Sequence, residues 1–350
     1  MKPSEPPTRR GGAVKPRVGL FIGDPTGIGP EVVARALSDE EVLGGSRFLV
    51  IGDDRAFRLG QRIAGVSLDY AVHEDAGEVD LKRDDVELLD LRNMDPDRFT
   101  VGRLSPEMGR AVGDALTVSL MLAKAGIIDA FVYAPLNKEA LNKGGYHFES
   151  EMSFFAHVLG ITEGYGELTS LDGLWASRVT SHIGIRDVAR HITRDSVLKA
   201  IVLAHNTVRR AGVERPRIGV SALNPHGGEH GLFGPEEEET IAPAISHAVE
   251  MGIDAVGPYP ADTIFLRRQR ERLDAIVSMY HDQGQVATKL LGFERSVTVA
   301  GGLPLPVTTP SHGTAFEIAG KGVADPRTMK EAIKLASRMA GWQPQRQAAR

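Results

Sequence analysis

The chain has 350 residues, 42% hydrophobic and 25% charged, with a formal net charge of −5. That length exceeds one ordinary core and predicts two lobes, and the balance is that of a globular chain, neither disordered nor collagen-like. The absence of cysteine excludes disulfides, zinc–thiolate sites, iron–sulfur clusters and a thiol nucleophile, so any metal must be held by His, Asp or Glu. The acidic balance offers no basic field for nucleic acid, and no apolar run reaches the 18 residues a membrane helix needs. Residues 1–16 are polar, proline-rich and basic, without the apolar core of a secretory signal. They read as a disordered tail, with a cytoplasmic location as the default.

From residue 18 onward, β-rich runs alternate with helical ones. A strand over 18–22 leads through Gly-Asp-Pro into a helix over 30–37 that opens on Pro30. Strands over 48–51 and 86–91 follow. A helix over 106–125 then carries Met108, Val112, Ala115 and Leu116 at helical spacing. A strand over 130–134 runs into Pro135, and another over 175–180 precedes a helix over 195–210 that Thr193 or Asp195 can cap. Next come a strand over 217–222 and a helix over 235–251 with Glu236 to Glu239 in its first turn. Strands over 275–280 and 297–300 and a helix over 326–339 close the chain. This alternation predicts α/β layers with mainly parallel pairing. A first lobe of residues 17–135 plus 305–350 would enclose a second, 136–304, carrying the candidate site.

Two groups of residues stand out chemically. Residues 24–31, Asp-Pro-Thr-Gly-Ile-Gly-Pro-Glu, join the first strand to the first helix. They fit either a backbone cradle for phosphate or a plain strand-to-helix turn, and they match neither a Walker loop nor the Gly-x-Gly-x-x-Gly fingerprint. Of 11 histidines, His182, His226 and His281 each follow a predicted strand, among polar and glycine neighbours. Strand carboxyl ends are where α/β sheets place their sites. Three neutral imidazoles there would suit an open metal site; the alternative is three unrelated loop histidines. His230 is a further potential ligand.

The quoted segments, in this order along the chain, resemble the 4-hydroxythreonine-4-phosphate dehydrogenase family of vitamin B6 biosynthesis. They are Gly23–Glu31, Ala134-Pro-Leu-Asn-Lys138, Thr180-Ser-His-Ile-Gly-Ile-Arg-Asp187, Leu223-Asn-Pro-His226 and Gly257-Pro-Tyr-Pro-Ala-Asp-Thr263, continuing with Tyr280-His-Asp-Gln-Gly284, Gly302-Leu-Pro304 and Ser311-His-Gly-Thr-Ala315. The resemblance implies an isocitrate/isopropylmalate dehydrogenase-like fold, a three-layer αβα arrangement of two lobes with a cleft between them. It implies His182, His226 and His281 as ligands of a divalent metal, zinc by preference, with cobalt, magnesium or manganese as alternatives. NAD, or alternatively NADP, would accept the hydride. The implied reaction oxidises a secondary alcohol beta to a carboxylate, and the β-keto acid then loses carbon dioxide. The implied partners are a small hydroxy-acid substrate and a second copy of the chain. In that homodimer His182 and His226 would come from one subunit and His281 from the other.

The resemblance also makes Asp262 and Lys289 the candidates to move or hold protons. Asp187 and Asp282 are candidates to orient imidazoles, and Asn137 and Lys138 to line the cleft. The chain departs from the family at the substrate grip. Glu151 and Met152 stand where a His-Thr pair grips phosphate, and Thr298 and Val307 align with an Asn and an Arg; Lys289 is kept. Two like charges 4 Å apart repel by about 4 kcal/mol at an effective dielectric near 20, so a carboxylate there opposes a phosphate unless Arg295 or Lys143 compensates. The departure predicts a relative acting on an unphosphorylated hydroxy acid or cis-dihydrodiol carboxylate, as terephthalate dihydrodiol dehydrogenases do. Further alternatives are a metal- or ligand-binding protein without catalysis, and acyl transfer to phosphate.

Overall fold

The structure, a computed structural model, describes residues 15–81 and 86–342, so most of the expected tail lies outside it. The strands are β1 (Arg17–Phe21), β2 (Arg47–Gly52), β3 (Tyr70–His73), β4 (Val86–Asp90), β5 (Ala130–Tyr133), β6 (Gly166–Leu171), β7 (Leu174–Arg178), β8 (Ile218–Ser221), β9 (Ala255–Tyr259), β10 (Ala275–Ser278), β11 (Val297–Gly301) and β12 (Val307–Pro310). The helices are α1 (Gly29–Leu37), α2 (Glu40–Gly45), α3 (Asp54–Ala64), α4 (Pro106–Lys124), α5 (Lys138–Lys143), α6 (Glu151–Leu159), α7 (Val188–His191), α8 (Arg194–Arg210), α9 (Ala242–Glu250), α10 (Ala261–Glu271), α11 (His281–Gly292) and α12 (Arg327–Ala340).

The described strands form one sheet in the order β3-β4-β2-β1-β5-β12-β11-β6-β7-β10-β8-β9. The apolar runs of β1, β2, β5, β8 and β10 are buried nearly without alternation, as strands covered on both faces must be. The α/β expectation therefore holds. The pairing is more mixed than the alternation suggested: β12–β11, β11–β6 and β6–β7 are antiparallel, and the remaining pairs are parallel. The reason at β6–β7 is local. Asp172 and Gly173, both at positive φ (47° and 77°), close a two-residue hairpin, which joins antiparallel neighbours only.

Strands from residues 17–135 and 305–350 fill one half of the sheet, and strands from 136–304 fill the other, meeting at β12 and β11. The helices divide differently. α5 and α6 fall by number in the second segment, yet they pack on α4 of the first. Pro30 occupies the first turn of α1, and Thr193 caps α8 through a reciprocal pair with Ser196. The single helix expected over 235–251 instead starts as a π turn, Glu237–Ile241, before α9. Glu237 is buried there and accepts from the Leu223 and Asn224 N–H groups, both at 2.8 Å, bracing the turn that carries His226.

Candidate active site

The three histidines leave the carboxyl ends of three adjacent parallel strands, β7, β10 and β8. Backbone contacts stitch these ends together. Val179 N–H donates to the Ser278 carbonyl (2.9 Å), and Thr180 donates to the Met279 carbonyl from both N–H (3.1 Å) and Oγ1 (2.8 Å). Gln283 spans the other side: its Oε1 accepts from Met279 N–H (2.7 Å), and its Nε2 donates to the Ala222 carbonyl (2.8 Å).

The result is uneven. The rings of His182 and His281 lie 5.9 Å apart, centre to centre, close enough for both to reach one ion with metal–nitrogen bonds of about 2.0–2.1 Å. His281 opens α11, and its Nδ1 meets Asp282 Oδ1 at 2.7 Å, which leaves Nε2 free of that contact. Asp187, the other carboxylate expected to orient an imidazole, instead pairs with Arg186 and Arg190. His226 stands apart, in a turn at positive φ (57°) with Phe233 as its aromatic neighbour (6.3 Å). Among the described residues no three ligating groups converge within one chain. Of the three, His182 and His281 are the pair whose rings are brought into contact. His230 is almost wholly exposed beside Glu238.

A cavity of about 140 Å³ opens beside His281, lined also by Lys289, Thr298, Thr169, Glu167 and Ser311. Three strands supply its floor: the register sets Thr298 of β11 beside Thr169 of β6, and Ser311 follows β12. α11 supplies its wall. The Lys289 ammonium sits over the Phe293 ring at 5.7 Å. Asp262 does not join this cavity. It is exposed in the first turn of α10, the helix against which the His226 turn packs. Val307 is fully buried in the core, in register with Phe131 and Ala300, so it offers no surface to a ligand. An apolar side chain at that position completes the packing there.

Glu151 begins α6, where the Ser150–Ser153 capping box fixes the turn, and it meets Lys138 Nζ at 2.9 Å. Met152 is buried behind it. Asn137 caps α5 by accepting from Ala140 N–H at 2.8 Å. Neither cation expected to compensate Glu151 is free: Lys143 pairs with Glu139 at 2.7 Å and Arg295 with Asp172 at 3.0 Å. Burial, with Glu151 and Glu167 nearby, drives the Tyr133 hydroxyl far above its usual titration range, so it stays a neutral wall.

The segment 24–31 is the plain turn rather than the cradle. Thr26 N–H and Oγ1 donate to Asp24 Oδ1 (2.9 and 2.7 Å), Gly27 N–H to the Asp24 carbonyl and Ile28 N–H to the Thr314 carbonyl. Those donors are spent, and a Cβ on Gly27 would meet Thr314 at 2.7 Å.

The site lies at the carboxyl ends of parallel strands of an α/β sheet, where such folds bind their ligands. The family model described as "Pyridoxal phosphate biosynthetic protein PdxA" matches residues 45–336, and the chain belongs to that family. D-threonate 4-phosphate dehydrogenase of Cupriavidus necator is 40% identical over 326 residues, 93% of this chain and 97% of the relative. A crystal structure of a 4-hydroxythreonine-4-phosphate dehydrogenase from Burkholderia phymatum matches at 41% identity and TM-score 0.79, covering 93% and 98%. Terephthalate 1,2-cis-dihydrodiol dehydrogenase from Burkholderia xenovorans matches at 28% identity and TM-score 0.67, covering 92% and 98%.

Sequence reasoning missed Glu167, Arg178, Glu237 and Gln283. Gln283 lay inside a quoted motif. The Asp172-Gly173 turn carried the signal for two others: pairing Leu171 with Leu174 sets 167 opposite 178 by continued register.

Proposed function

We propose that the chain is an NAD-dependent, divalent-metal-dependent dehydrogenase that oxidises a secondary alcohol beta to a carboxylate with decarboxylation, and that its substrate carries no phosphate. The Lys138–Glu151 ion pair carries this reading. The position that grips phosphate in the family holds a carboxylate, and its near cation is neutralised. A hydroxyl or amide group fits such a rim better than a dianion. The names of the relatives near 40% identity favour a second reading, a 4-phosphorylated four-carbon hydroxy acid.

His182 and His281 are the residues that fit a metal, and His226 would complete the set. When bound, a divalent ion supplies a Lewis acid at the alcohol oxygen and at the charge left as carbon dioxide departs. Asp282 keeps one tautomer of His281. Lys289, without a carboxylate partner among the described residues, faces the substrate carboxylate or returns a proton to carbon after decarboxylation. The C–H hydride passes to NAD and the hydroxyl proton to a protein base, Asp262 or Lys289.

A second copy of the chain is the proposed partner. Val286, Leu290 and Leu291 on α11, Ile185 beyond His182 and Leu232 beyond His226 are all exposed apolar residues around the site. Such a patch is best covered by a like surface.

The deciding measurement is kcat/KM for 4-phosphohydroxythreonine and D-threonate 4-phosphate against their unphosphorylated counterparts and a set of diol acids. The unphosphorylated compounds should be favoured. Efficient turnover of a phosphorylated acid with the others inert would return the chain to the second reading.

A further inference from the structure

The two neighbouring imidazoles are held in different ways. His281 has Asp282 on its ring. The His182 ring has no hydrogen bond among the described residues, so its aim depends on the backbone that carries it. Thr180 is pinned on one side, by its two bonds to the Met279 carbonyl. Ser181, an exposed loop residue, is pinned on the other by Arg178, whose Nε donates to Ser181 Oγ at 2.8 Å.

Arg178 is unusual in its own right. Its side chain is only 7% exposed, and its Nη2 meets Glu167 Oε1 at 3.0 Å. A buried guanidinium needs a carboxylate to offset its desolvation, and removing that partner leaves a stranded charge. The planar fork reaches Glu167 and Ser181 in two directions at once, which a lysine ammonium on a flexible stem does not reproduce. Glu167 also lines the cavity beside His281, so the pair ties the cavity wall to the His182 loop.

We propose that Glu167, Arg178 and Ser181 form a relay that positions His182 for metal binding. Arg178 and Ser181 are positioning residues: they set where the imidazole stands. Glu167 also cancels a positive charge that would otherwise oppose a cation. The inference rests on the metal reading above.

The test is titration of the metal-free full-length protein with Co²⁺, read by its visible ligand-field absorption, which needs no turnover. Loss of an outer partner of a metal ligand typically costs 10–100-fold in affinity. Ser181→Ala, at an exposed position, should weaken Co²⁺ binding about tenfold while leaving the thermal midpoint unchanged. Arg178→Lys should weaken it as much, despite keeping the charge, and Glu167→Gln should do the same. Wild-type affinity and an unaltered spectrum in Ser181→Ala and Arg178→Lys would overturn the relay alone. Absence of Co²⁺ binding by the wild-type protein would overturn the metal reading, and the relay with it.

Discussion

His205 lies midway along α8 with its Nδ1 buried and unpartnered among the described residues. Burial, with Arg209 nearby, lowers its pKa below the ordinary 6.5, so the folded protein holds it neutral. A depressed pKa means the unfolded chain takes up the proton first, so stability is full above about pH 6.5 and declines as pH falls through that value. The thermal midpoint should therefore fall between pH 7.5 and 5.5, and His205→Leu should flatten part of that fall; parallel curves for the two proteins would remove His205 from the account. Glu151 supplies a second test. Glu151→Gln frees the Lys138 ammonium, and kcat/KM for a phosphorylated acid should rise by about tenfold, equivalent to about 1.4 kcal/mol. An unchanged value would separate this pair from substrate choice. His182, His226 and His281 could be singled out in the sequence because each follows a run that reads as a strand, whereas Lys289, late in α11, drew notice only through the family resemblance. Val307 was misread because an alignment position says nothing of burial, and Arg178 escaped because its meaning lies in Glu167 across a hairpin.

α6 shows how packing positions a site. Its Phe155 is fully buried, edge-on to Phe131 (6.4 Å) and Tyr133 (5.4 Å) of β5, which seats Glu151 one turn earlier at the start of the same helix. Phe155→Ala should cost about 3–5 kcal/mol in urea unfolding. A cost under 1 kcal/mol would mean that α6 is held by other contacts. Long amphipathic helices such as α4 and α8 announced themselves by period. β6, β9 and β12 did not: Gly166 and Glu167, Gly257 and Pro258, and Pro310 break their apolar pattern, and their identity as strands comes from the neighbours they pair with. α6 itself was invisible as a helix because its run Phe154-Phe155-Ala156 reads as plain apolar sequence.

How the sheet gathers its strand ends makes a division of the three histidines between subunits testable. Within one chain His182 stands with His281, whereas His226 lies on the turn that packs against α10 with Asp262. In a shared site, His182 and His281 of one copy would then meet His226 of the other. Co-expressed His226→Ala and His281→Ala chains should recover roughly a quarter of wild-type activity by random pairing, whereas His182→Ala with His281→Ala should stay inactive. Recovery by the latter pair would support the division that the family resemblance implies, with His281 alone crossing over. Failure of both mixtures, under conditions that exchange subunits, would place the whole site in one chain.

β12 lies between β5 and β11 in space, yet its residues, 307–310, come far later in the chain than the 130–133 of β5. During synthesis, β5 therefore emerges with one side paired to β1 and the other side bare for some 170 further residues, a span at about 5–20 residues per second of roughly ten to thirty seconds. Its sequence, Ala-Phe-Val-Tyr, is apolar and uncharged, the kind of open edge that recruits strands from other chains. The nascent protein thus carries an aggregation hazard at the middle of its sheet until β12 has been made.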